Sequence, residues 1–183
     1  MKEIALNILD IIRNSVRAGA KNILVEVKES DQSNSMVVKV IDDGKGIDPE
    51  FLKNVDDPYT TSRETRKVGM GIPLLKQHVE MTGGSFWIES EVDKGTILQA
   101  SFVKDHIDRQ PLGDICGIFK MMLVSEESIN FGYAHITDKG EFKLSTQEAK
   151  EILEVENFRN VSLASEVTNV LRENLLDIGA EIT

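Results

Sequence analysis

Asp10 and Asn14 stand four residues apart in the run DIIRNSVRAGA, so a helix there places them one turn apart on the same side. A carboxamide one turn after a carboxylate suits phosphate chemistry. The amide oxygen can serve as a neutral ligand for a hard octahedral cation, and the carboxylate can polarise a water or an incoming hydroxyl. With Glu3 and Arg17 the pair also makes an ordinary solvated helix face, and both arrangements predict exposure. The stretch IDDGKGI at 41–47 follows the apolar run MVVKV and holds two aspartates and two glycines, Asp42, Asp43, Gly44 and Gly46. Alone it reads as a surface turn, because glycine takes positive φ freely and aspartate bonds its own backbone. The stretch VGMGIPLL at 68–75 brings Gly69 and Gly71 to the start of a helix. Backbone N–H groups and the helix dipole can meet an anion there, without the Gly-Lys-Ser ending of a P-loop. Arg63, Arg66 and Lys67 precede it, cations that suit screening of phosphate groups or simply keep a loop soluble.

The elements that must position these residues follow from periodicity. Over 2–18 the apolar residues Ile4, Ala5, Ile8, Ile12 and Val16 recur at helical spacing, and Gly19 supplies a stop. β-rich runs at 22–28 and 36–41 flank a polar loop and suit an antiparallel pair. A short helix is expected after Asp48-Pro49. Residues 56–71 carry almost no apolar periodicity and read as a mobile lid. Residues 72–81 turn helical, with Pro73 at the start and Gly83-Gly84 at the end. Strands are expected at 85–90 and 96–103, joined by a turn holding Asp93-Lys94-Gly95. This order predicts an α/β two-layer sandwich over 1–103. Residues 104–183 read as an appendage of unknown role: a helix near 112–124, a hairpin about Asp138-Lys139-Gly140, and helices from near Thr146 and Ser162, the last with an apolar stripe.

Composition narrows the classes. The chain has 183 residues, enough for a real core, with 31 acidic against 21 basic side chains and a net charge of -10. That balance repels nucleic acid and anionic membrane surfaces, and no dense basic run offsets it. The first residues do not resemble a secretory signal, and no stretch approaches the ~20 apolar residues of a membrane span, so a cytoplasmic location is expected. Cys116 is alone, which excludes an internal disulfide and a thiolate metal cluster, and it reads as a small core residue.

Taken in order, Asp10 to Ala20, Asp42 to Gly46, Gly69 to Gly71 and Gly95-Thr96 resemble the boxes of the gyrase, heat-shock chaperone, histidine kinase and mismatch-repair ATPase superfamily (GHKL). The resemblance covers roughly 1–103 and implies a Bergerat-type fold, in which helices on one face of a mixed, mostly antiparallel sheet hold ATP beneath a flexible lid. It implies that Asp42 accepts a hydrogen bond from the adenine amine and that Gly44 and Gly46 let the backbone approach the base. It further implies that Asn14 holds Mg²⁺ with the phosphates, that the backbone from Gly69 to Gly71 contacts them, with Arg66 and Lys67 beside them, and that Thr96 fixes a water next to Asp42. Asp10 stands where ATP-hydrolysing members carry glutamate, one methylene longer, so nucleotide binding is the firmer expectation and turnover the weaker one. Asp43 and Lys45 fall at variable positions.

Within the superfamily the segment 58–72 and the helix-hairpin finish resemble the kinase branch, implying a histidine- or serine-protein kinase or regulatory ATPase. The chain starts nine residues before Asp10, so any phosphoacceptor is expected on a protein partner in trans. His78, His106 and His135 read as ordinary surface or core residues. The alternative is an ATP-gated binding switch with slow or no turnover; resemblance to stand-alone proteins that neighbour hydrogenase subunits implies an accessory role of that kind. A homodimer is compatible with either.

Overall fold

A six-stranded sheet in the order β3-β4-β2-β1-β5-β6 organises the computed structural model, which describes residues 3–53, 71–125 and 128–182. The expected lid, with Arg63, Arg66, Lys67 and Gly69, lies outside the described residues apart from Gly71. The chain runs α1 (Ile4–Arg17), β1 (Asn22–Ser30), β2 (Ser35–Asp42), α2 (Pro49–Leu52), α3 (Gly71–Met81), β3 (Ser85–Glu91) and β4 (Gly95–Val103). It continues through α4 (Ile115–Ser125), β5 (Asn130–Ile136), β6 (Glu141–Ser145), α5 (Thr146–Ile152) and α6 (Val161–Asp177). All strand pairs are antiparallel except β1 with β5. The fold is thus α/β in two layers, with a mixed and mostly antiparallel sheet.

Alternation decides which face is covered. Ile23, Val25 and Val27 of β1, Met36, Val38 and Val40 of β2, Leu98, Ala100 and Phe102 of β4, and Phe131 and Tyr133 of β5 are buried on the helix side. Lys28 and Trp87 on the other side are exposed. Ile4, Ile8 and Ile12 of α1 are fully buried against this sheet, each contributing about 1.5–3 kcal/mol of apolar transfer.

Residues beyond 103 continue the same sheet and share the same core. β5 lies beside β1, its partner in the parallel pair, and Phe119, Leu171 and Leu175 of α4 and α6 join Ile8 and Val25 in one apolar cluster. A buried polar group ties this region down. Glu29 of β1 accepts from His135 Nε2 at 2.8 Å and from the Glu181 backbone N–H at 2.6 Å, and its second oxygen pairs with Lys104 at 2.7 Å. Tyr133 and His135 share a 2.6 Å hydrogen bond, and the Glu181 carboxylate grips Arg109 with bonds of 3.0 and 2.8 Å. Burial pushes the Glu29 carboxyl up, but hydrogen bonds from His135, Lys104 and Glu181 outweigh it and hold the group down at about 2. Cys116 is buried and its thiol is pushed up by that burial, as suits a core side chain.

Candidate functional site

Beneath α1, at the end of the sheet where β2 finishes and β4 begins, a cavity of about 590 Å³ opens. Its polar lining includes Asn14, Ser15, Asp42 and Thr96, and its walls are largely apolar, with Ile47, Phe51 and Ile88 among them. Arg17 and Lys45 also border it. A volume of this size lies within the range of small-molecule sites, about 300–1,000 Å³.

Each functional side chain has a local reason for its place. Asp42 ends β2 opposite Thr96 of β4, so strand register alone brings the two side by side. The Asp42 Oδ1 accepts the Gly44 N–H at 2.9 Å, and Oδ2 accepts the Ser15 hydroxyl at 2.6 Å. The turn that follows is tied on three sides: Lys45 N–H to the Ala18 carbonyl at 3.0 Å, Asp93 N–H to the Lys45 carbonyl at 2.9 Å, and Ile47 N–H to Ser90 Oγ at 2.8 Å. Gly46 has φ +68°, and a Cβ there would overlap the Glu91 carbonyl, so only glycine fits. Gly44 has Ala18 where its Cβ would go, at 2.9 Å.

Asp43 faces away from the cavity and has a defined task. Its carboxylate accepts from the backbone N–H groups of Lys21 and Asn22 at 2.7 and 2.9 Å and from the Asn22 side chain at 2.8 Å, fixing the start of β1. The Asn22 backbone and side-chain hydrogen bonds lead in holding its carboxyl below the usual range. The second aspartate of the stretch 41–47 is thus architectural.

Of the other sequence-nominated residues, Asn14 lines the cavity. Both the solvated-face and the phosphate-chemistry readings of α1 expected it to be exposed. Instead the residue is half-buried, and its Nδ2 is buried with no hydrogen-bond partner. Asp10 is 37% exposed, makes only a loose 3.9 Å pair with Arg13, and is not among the residues lining the cavity. It packs against the start of α3, where a Cβ on Gly71 would come within 2.7 Å of its own Cβ. The described part of the site therefore brings together Asn14, Asp42, Gly46 and Thr96, with Gly44 behind Asp42 and Gly71 beside Asp10.

Sequence reasoning missed two hydroxyls. Ser15 is 2% exposed and extends the buried row Ile4, Ile8, Ile11 of α1; a hydroxyl interrupting such a row was the available signal. Ser90 accepts from Ile47, donates to the Gly95 carbonyl at 2.9 Å and touches the Thr96 hydroxyl at 2.9 Å. Nothing in its alternating strand marked it out.

The family of histidine kinase-, DNA gyrase B-, and HSP90-like ATPases has a model that matches residues 2–106, more than half of the chain. The chain belongs to this family. Among its relatives, sporulation kinase D of Bacillus subtilis (strain 168) is 34% identical over 89 residues, 49% of this chain and 17% of that kinase. The DNA mismatch repair protein MutL of Clostridium botulinum (strain Kyoto / Type A2) is 43% identical over 54 residues, 30% of this chain and 8% of MutL. The chain thus corresponds to a small part of each relative's length. A solved N-terminal domain of a DNA repair protein superposes with a TM-score of 0.51 at 16% identity, covering 79% of this chain and 52% of that one, which is a likeness of fold. Among the described residues no helix is long and apolar enough to cross a membrane.

Proposed function

We propose that the cavity binds ATP or ADP, with adenine against Asp42 and the phosphates toward Asn14 and the start of α3. One observation carries the reading: Asn14, Asp42, Gly46 and Thr96, distant in sequence, line one largely apolar cavity of about 590 Å³. Apolar walls suit the faces of a purine. A carboxylate offers only acceptors, so it pairs with the adenine amine, and a hydrogen bond to a charged group in such surroundings is stronger than a neutral one.

The partnerless Nδ2 of Asn14 suits the phosphate end, since its N–H groups can donate to phosphate oxygens. Mg²⁺, when bound, would be held by the Asn14 amide oxygen and by phosphate oxygens, and would neutralise part of their charge. This fits a region with no cluster of three or more His, Cys, Asp or Glu ligands among the described residues, because magnesium keeps several waters and leans on substrate phosphates. Arg17 and Lys45 offset the net charge of -10 locally, and Arg66, Lys67 and the backbone of Gly69 and Gly71 would complete the phosphate end. Asp10, beside Gly71, would orient the attacking water or hydroxyl.

We further propose that the chain is a regulatory ATPase or protein kinase of the histidine-kinase type, acting on a protein partner in trans. The 34% identity to sporulation kinase D over 49% of the chain supports it. A second reading is a switch whose surface changes with the bound nucleotide; the 43% identity over 54 residues to a DNA mismatch repair protein, a relative not named a kinase, keeps it beside the first. Incubation with γ-labelled ATP and co-purifying proteins separates them. Label on a protein supports the kinase, free phosphate alone supports a slow ATPase switch, and bound but unreacted ATP supports a switch without turnover.

A further inference from the structure

Among the described residues, the hydroxyl protons around Asp42 are committed inside the protein. Ser15 donates to Asp42 Oδ2 at 2.6 Å, in preference to the Ile11 carbonyl at 3.3 Å. Ser90 has one proton, which goes to the Gly95 carbonyl, so the Thr96 hydroxyl donates to Ser90. What Asp42, Ser15 and Thr96 present to the cavity is lone pairs.

We propose that Ser15 is a positioning residue that sets which purine this site takes. Its hydroxyl locks the Asp42 carboxylate against the Gly44 N–H, aims the remaining lone pairs at a 6-amino group, and leaves the oxygen of a 6-oxo purine facing acceptors alone. The inference rests on the nucleotide reading and adds a residue to it. Without the hydroxyl, Asp42 is held by Gly44 only and turns about a soft terminal torsion, so its oxygens no longer meet the amine in a fixed direction. A hydrogen bond to a charged group, once lost, costs about tenfold or more in affinity.

The test titrates ADP, inosine diphosphate and purine-riboside diphosphate, which lacks the 6-amino group, into the wild type, Ser15→Ala and Ser15→Thr, with melting curves to confirm folding. The wild type should prefer ADP to both analogues. Ser15→Ala should lose about tenfold for ADP and less than about twofold for the purine-riboside nucleotide, and Ser15→Thr, which keeps the hydroxyl, should restore the preference. Should Ser15→Ala not fold, Ser15→Cys, similar in size with a weak donor, serves for the same comparison. Unchanged ADP affinity in Ser15→Ala or Ser15→Cys, or an equal loss for all three nucleotides, overturns the assignment. Failure of the wild type to bind any of them overturns the nucleotide reading itself.

Discussion

Glu29→Gln should lower stability at neutral pH and make the loss vanish in acid. The side chain is 1% exposed and its carboxyl sits at about 2 instead of the ordinary 4.5, because His135, Lys104 and the Glu181 N–H hold the charged form against the penalty of burial. A carboxyl whose folded pKa is depressed contributes stability that is fully present above its unfolded value and is lost as pH falls through the folded one. The window is therefore pH 4.5 down to about 2. Across it the charged group is worth about 3 kcal/mol, from about 1.4 kcal/mol for each pH unit between the two values. For a chain of this size that amounts to roughly 6–12 °C in melting temperature. Urea unfolding followed by circular dichroism, at pH 7 and at steps down to pH 2.5, should show the wild type more stable by about 3 kcal/mol at neutrality. The gap between the two proteins should close steadily below pH 4.5. A gap that stays constant with pH, or no gap at pH 7, would refute the claim that a charged Glu29 fastens the C-terminal segment to the sheet.

Gly46→Ala should destabilise the protein by about 2 kcal/mol or more, read as a lower melting temperature, because φ is +68° and the new Cβ would overlap the Glu91 carbonyl. A melting temperature equal to that of the wild type would show that the turn relaxes freely. Asn7 is fully buried on α1 with neither amide atom hydrogen-bonded, so Asn7→Leu should raise stability by about 1–2 kcal/mol in the same assay. A loss instead would mean that an internal water satisfies the amide. Asp10→Ala should leave ADP affinity within about twofold, because Asp10 does not line the cavity, while lowering any phosphate release by about 100-fold or more. Full turnover in that variant would remove Asp10 from the chemistry.

The sequence made the N-terminal half legible because its signals are local. The spacing of Ile4, Ile8 and Ile12 marked a helix that spans Ile4–Arg17, and alternation marked strands whose observed ends, such as Asn22–Ser30 and Gly95–Val103, lie within about two residues of the expected ones. Non-local partners were hidden. The parallel pairing of β1 with β5 joins Ile23 to Phe131 across most of the chain, and no turn residue announces such a contact. The burial of Asn7, Ser15 and the Asn14 amide nitrogen was hidden for a related reason: helix periodicity says which side a residue faces, while the packing of α3, α4 and β2 against α1 decides how far around it the covered arc extends. Asp42 and Asp43 make the same point in two residues. Adjacent in sequence, they point to opposite sides of a strand end, one toward the cavity and one to the backbone of Lys21 and Asn22.

Calorimetric titration of ADP with magnesium into the wild type and Asp42→Asn tests the central claim most directly. The wild type should bind, and the amide, which keeps the shape but offers one acceptor and a wrongly placed donor, should weaken binding by about 10–100-fold with the melting curve nearly unchanged. Equal ADP affinity in the two proteins, or none in the folded wild type, would contradict the assignment of this cavity to an adenine nucleotide.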